Sequence, residues 1–145
     1  MFKTSVSQHN MLISITLLMV FCILAFSASV IGIDDNPPGI ALAYLSTIAL
    51  VLTFVHSMRT SKQFRYLIYT SGFSFVFFAV FHNVFEGIAS KVGETSILYG
   101  LLNGVGGAFF LIATLVCPSG LLVGAIGAVI MSRRERRSKQ GSLTT

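Results

Sequence analysis

Hydrophobic positions along this chain come in long blocks, without the strict alternation of a half-buried strand. Apolar runs cover residues 11–33, 39–58 and 65–89, and a fourth lies within residues 96–132. A helix rising 1.5 Å per residue needs about 20 apolar residues to cross a ~30 Å hydrocarbon core, so each of the first three predicts one membrane span. The run at 11–33 exceeds the ~7–15 residues of a signal-peptide core and reads as a retained helix. The fourth stretch is too long for one simple span. It contains Pro118, which lacks a backbone donor and kinks or breaks a helix.

The polar punctuation is short. "DDNPP" after the first run supplies Asp or Asn as a cap and proline to pre-set the first helical turn, so it predicts a tight turn. "HSMRTSKQFR" separates the second and third runs. Basic residues then decide the topology. Lys3, then Arg59, Lys62 and Arg65, then Arg133, Arg134, Arg136, Arg137 and Lys139 fall on one side of a four-span arrangement, and of the 10 Lys and Arg only Lys91 falls on the other. Five spans would carry the basic tail across, against the positive-inside bias. The expectation is an all-α integral membrane four-helix bundle with both termini cytoplasmic and a long fourth helix kinked near Pro118. Its single domain covers residues 1–138. The spans are about 11–33, 39–58, 65–89 and 105–132. Residues 95–104 form either an outer extension of the fourth helix or an interfacial turn, and residues 139–145 a disordered cytoplasmic tail.

Composition agrees with this pattern. Hydrophobic residues make up 54% and charged residues 10%, against about 25% charged in soluble domains. Such a chain cannot cover a water-facing surface. The plasma membrane is the default location. The net charge of +5 sits mostly in the tail, where it predicts attraction to anionic lipid at ~1 kcal/mol per charge near the surface. That basic run is a stop-transfer flank, and no nucleic-acid partner is expected. Cys22 and Cys117 lie inside apolar runs and form no disulfide framework or metal site.

Small residues at helical spacing mark the faces where membrane helices approach closely. They recur in the first run (Ser14, Leu18, Cys22, Ala25, Ser29), in the second (Gly39, Ala43, Ser46, Leu50, Thr53, Ser57), and as the pairs Gly100/Gly104 and Gly120/Gly124. In the third run, Gly72, Val76, Ala79, Asn83 and Glu86 share one face at 100° per residue, with His82 beside it. Phe73, Phe77, Phe78, Phe81 and Phe85 fall opposite. An ionised group among acyl chains at mid-depth costs at least ~2.5–3.5 kcal/mol, so the polar face is expected to turn into the bundle and the rings to meet lipid.

His82 lies about 25 Å along the axis from Arg65, near the outer boundary. Asp34, Asp35 and Asn103 fall on that side too, and with His82, Asn83 and Glu86 they predict an outer polar cluster. Its simplest role is a hydrogen-bond network that sets helix register; the alternatives are an ion or solute path, or acid–base chemistry. Other chemistries find no support. "GLLNGVGG" lacks the Lys-Ser/Thr of a phosphate loop, Ser119 has no His at its depth, and neither HExxH nor CxxC occurs. No catalytic residue, metal site or cofactor is assigned. The leading expectation is an accessory, assembly or structural-interaction subunit, working as a homo-oligomer or in a larger membrane complex. An oligomeric ion or solute channel comes second and a membrane enzyme last.

Overall fold

The computed structural model of the chain describes residues 2–92, 94 and 96–141, and all the regular structure among them is helical. The helices are α1 (Phe2–Ile31), α2 (Pro37–Val55), α3 (Ser61–Ala89), α4 (Ile97–Leu111) and α5 (Cys117–Gly141). A π-helical turn, Ile112–Val116, joins α4 to α5, so the two form one continuous rod. Four helical segments are long and apolar enough to cross a membrane: Gln8–Ile31, Pro37–Val55, Ser61–Ala89 and Ile97–Gln140.

Hydropathy marks where a helix enters lipid; caps mark where it ends. The helix of the third span therefore begins at Ser61, ahead of the apolar run at 65. Thr60 starts it with a capping box: its side chain accepts from the Gln63 backbone N–H, while the Gln63 side chain accepts from the Thr60 backbone N–H. Residues 97–104 continue the fourth helix, with Ser96 as its N-cap. At the other end, residues 139–141 are helical and not part of a disordered tail. The remainder of that expected tail, 142–145, lies outside the described residues.

The first turn is built by its small and capping residues. Gly32 adopts φ +84°, a left-handed conformation open to glycine, and its N–H donates to Ala28 O at 2.9 Å. Asn36 is the N-cap of α2, but its side chain reaches back to donate to Ile31 O at 2.9 Å, closing the end of α1. Pro37 and Pro38 open α2 where no intrahelical N–H is required. Gly39 lies against the Gly32 carbonyl, leaving no room for a Cβ.

The helices do not pack evenly. Among the described residues α1 packs against α2 alone, while α3 packs against α4, the π turn and α5. The core lies at the end carrying the α2–α3 loop, where Val51 and Val55 of α2, Phe64 of α3 and Val123 of α5 meet. Here α3 and α5 come nearly to backbone contact. A Cβ on Gly124 would stand 2.8 Å from Ile68 Cγ1 and 3.3 Å from Phe64 O, one on Gly120 would press on Ser71, and one on Gly127 would enter the Phe64 ring. By contrast, Gly100 and Gly104 face open space. This small-residue pair mediates no packing within the chain, because α4 turns it away from α3. On α1, Ala28 is buried while Leu18, Cys22 and Ser29 are exposed, so the contact face is rotated from the expected stripe.

Candidate functional site

Two polar groupings lie in the apolar helices, and their environments differ. The first surrounds Pro118. Proline has no N–H to offer the carbonyl four residues back, Thr114 O. The chain accommodates this with the π turn, in which the Cys117 N–H donates to Ile112 O, five residues back. Hydroxyls from α2 and from the first turn of α5 reach the carbonyls of this turn. Tyr44 Oη donates to Thr114 O at 2.9 Å. Ser119 Oγ donates to Leu115 O at 2.8 Å and lies 2.7 Å from Thr47 Oγ1. Thr47 Oγ1 also lies 2.9 Å from Tyr44 O and 3.3 Å from Ala43 O and Leu115 O, so either hydroxyl of the Thr47–Ser119 pair can donate its single proton to the other. Ser119 is 2% exposed and Thr47 is buried, so the contact between them is withdrawn from the surface, whereas Tyr44 is partly exposed. Sequence reasoning passed over Tyr44, Thr47 and Thr114. The usable signal was the proline itself, which frees a carbonyl at a depth where the small-residue face of α2 carries hydroxyls.

The second grouping is the expected outer cluster, and the structure disperses it. His82 Nδ1 donates across to Gly106 O of α4 at 3.0 Å, and the imidazole lies against the Phe110 ring at a centroid separation of 5.1 Å. Gly106 is buried at this contact, and a Cβ there would make only ordinary van der Waals contact with Phe85 at 3.5 Å and His82 Nδ1 at 3.8 Å. His82 Nε2 stands 3.4 Å from Glu86 Oε2, one helical turn on. A carbonyl only accepts, so Nδ1 carries a proton. A hydrogen bond between Nε2 and the carboxylate then requires one proton more, on either partner.

Asn83 and Glu86 point away from the other helices. The Glu86 side chain is 66% exposed. Asn83 is exposed, and its Nδ2 donates at 2.7 Å to Ala79 O of its own helix. Val76, on the same face, is 60% exposed, Ala79 is half-buried, and a Cβ on Gly72 would come no closer than 4.0 Å to Leu121. The expectation of an inward polar face is thus corrected. Of the five phenylalanines, Phe73 and Phe77 are exposed as expected, while Phe78, Phe81 and Phe85 turn toward α4 and gather around Phe109 at centroid separations of 5.5, 5.8 and 5.5 Å. The cause is the uneven bundle. Among the described residues α3 has α4 as its neighbour at this end and no third helix to enclose an interior, so Phe78, Phe81 and Phe85 take that interface.

Asp34 and Asp35 are exposed in the α1–α2 turn, and Asn103 is exposed on α4. None of the three joins His82, and no group of three or more His, Cys, Asp or Glu occurs together among the described residues. His56 donates through Nδ1 to Thr53 O at 3.0 Å, and its Nε2 is buried with no hydrogen-bond partner.

A third polar junction lies at the core end. The Glu135 carboxylate accepts the Ser61 backbone N–H at 2.9 Å, and Ser61 Oγ lies 2.7 Å from Ser132 Oγ. The tail's one acid thus caps the N-terminus of α3, where free N–H groups and the helix dipole favour a carboxylate. No protein-family model matches the chain, and no curated protein or solved structure shows significant similarity to it.

Proposed function

We infer that this chain is a four-span subunit of the plasma membrane, with both termini cytoplasmic, that acts by docking the outer half of α3 onto a further transmembrane helix. In this reading the α4–α5 rod is kinked at the π turn before Pro118; among the described residues α4 packs against α3 and not against α1 or α2. The observation that carries the docking reading is the outward placement of Asn83 and Glu86 on a helix of bilayer-spanning length. Their face also carries Val76, Val80, Val84 and Gly87, all exposed. Polar groups on such a surface are costly in lipid and become favourable contacts when a partner helix covers them. Accessory, assembly and homo-oligomeric roles share this contact.

A photo-crosslinking residue at Val80, with a control at Phe54 on α2, tests the reading in native membranes. The expected outcome is a discrete adduct, with a partner or a second copy, from position 80 and not from position 54. Equal labelling at both positions, or none at 80, overturns it. The His82–Glu86 pair favours one variant of the same assembly, an oligomeric ion path. In that case Glu86→Gln alters conductance in reconstituted bilayers while the adduct persists.

A further inference from the structure

The basic tail departs from a simple flank in the side chains it places together. Ala125, Val129, Arg133 and Arg136 of α5 lie along one helical face, and Arg65 and Tyr69 of α3 face them one turn apart. Between them runs an open cleft of about 620 Å³. Gly124 and Gly127 draw the two helices so close beneath it that the floor is closed. The cleft changes character along its length. Ile68, Ala125 and Val129 make one half apolar, and Arg65, Arg133 and Arg136 make the other half, toward the basic tail, cationic. From Ala125 to Arg136 the axis advances about 16 Å, the depth over which a phospholipid passes from acyl chain to phosphate.

The charges are not balanced within the chain. Arg65, Arg133 and Arg136 meet no carboxylate within ion-pair distance among the described residues. The other charged groups at the rim are Lys139 and Glu135, and the Glu135 carboxylate is engaged by the Ser61 N–H. Guanidinium groups present a planar fork of donors that matches phosphate oxygens.

We propose that the α3–α5 cleft is a binding site for one anionic phospholipid, its phosphate held by Arg65, Arg133 and Arg136 and an acyl chain lying over Ala125 and Val129. The proposal rests on the four-span reading and not on docking by α3, so loss of crosslinking at Val80 leaves it standing. Charge complementarity selects an anionic lipid, and the apolar half of the cleft selects a lipid over a soluble anion.

Native mass spectrometry of the full chain, released from membranes doped with phosphatidylglycerol and phosphatidylcholine, provides the test. The double variant Arg133→Gln/Arg136→Gln should retain at least fivefold less phosphatidylglycerol. Arg59→Gln/Arg134→Gln removes the same charge from the neighbouring cleft that those two residues line with Met131, and should change retention less than twofold. An equal loss in both variants means diffuse surface attraction and overturns the site, as does no loss in the first. Ala125→Phe fills the apolar half without touching the charges. It should lower lipid retention while leaving the weak binding of water-soluble glycerophosphoglycerol unchanged. If that headgroup or inorganic phosphate displaces the intact lipid at equal concentration, the site is one for free anions and the proposal fails.

Discussion

The turn around Pro118 and the outer end of α3 both place polar side chains in apolar helices, yet they resolve the same physical problem in opposite ways. At Pro118 the backbone itself is deficient, because Thr114 O has lost its donor, and α2 lies close enough to supply Tyr44, Thr47 and Ser119 completes the chain. At the end of α3 the backbone is complete. Asn83 bonds its own helix, His82 makes one bond across, and Glu86 is left outward. A polar side chain turns inward where a neighbouring helix holds an unsatisfied group within reach. Sharing a face with other small or polar residues is not sufficient.

Close packing sets the conditions for both outcomes, and breaking it should have the largest effect. Gly124→Leu forces a side chain against Ile68 and the Phe64 carbonyl, where the first added carbon already stands too close. Overpacking of this kind costs about 3 kcal/mol, read as a lowered unfolding midpoint in detergent. Gly104→Leu, in open space, should shift the midpoint by less than about 0.5 kcal/mol. Equal losses at the two positions would show that the two ends of the molecule pack alike, and the comparison would lose its basis.

Next in size is the buried hydroxyl chain. Ser119→Ala keeps the volume close but removes the hydroxyl that links Thr47 and Leu115 O, at an expected cost of about 1–2 kcal/mol. Tyr44→Phe strands Thr114 O and should cost about 1 kcal/mol, in the range found for hydrogen bonds between membrane helices. The assignment of cause can be sharpened. Pro118→Ala restores an N–H for Thr114 O, so in that background Tyr44→Phe should cost measurably less. Strict additivity of the two changes would mean that the Tyr44 bond does not compensate for the proline.

The regions also differ in how plainly the sequence displays them. Block hydropathy is a one-dimensional property, so the four long apolar helices, the "DDNPP" turn and an irregularity near Pro118, seen as the π turn, were legible. The start of α3 at Ser61 and the extension of α5 to Gly141 were not, because Lys62, Arg65 and the tail arginines are compatible with a helix that leaves the membrane. Facing was legible where a close approach has one chemical solution, as at Gly39 and Gly124. It was misleading on α3, because a helical wheel carries no information on how many neighbours surround the helix. Glu135 was hidden for a related reason: its partner, Ser61, lies 74 residues away, and among five basic residues a single acid reads as incidental.

The smallest expected effect is the most pointed test of the contrast. Asn83→Leu removes the one side-chain amide that the facing argument placed in the bundle interior. Among the described residues its side chain bonds to Ala79 O, a carbonyl of its own helix, and it is exposed. Stability of the isolated chain should therefore change by less than about 0.5 kcal/mol, with a slight gain in lipid, where an apolar side chain is the cheaper occupant. In native membranes the same substitution should weaken the adduct formed from Val80, since the amide would then be a contact with the partner. A loss of more than about 2 kcal/mol in the purified monomer would mean that Asn83 is buried among the chain's own helices. The α3 face would then have to be turned back toward the bundle, and the reason for expecting a docking helix there would disappear with it.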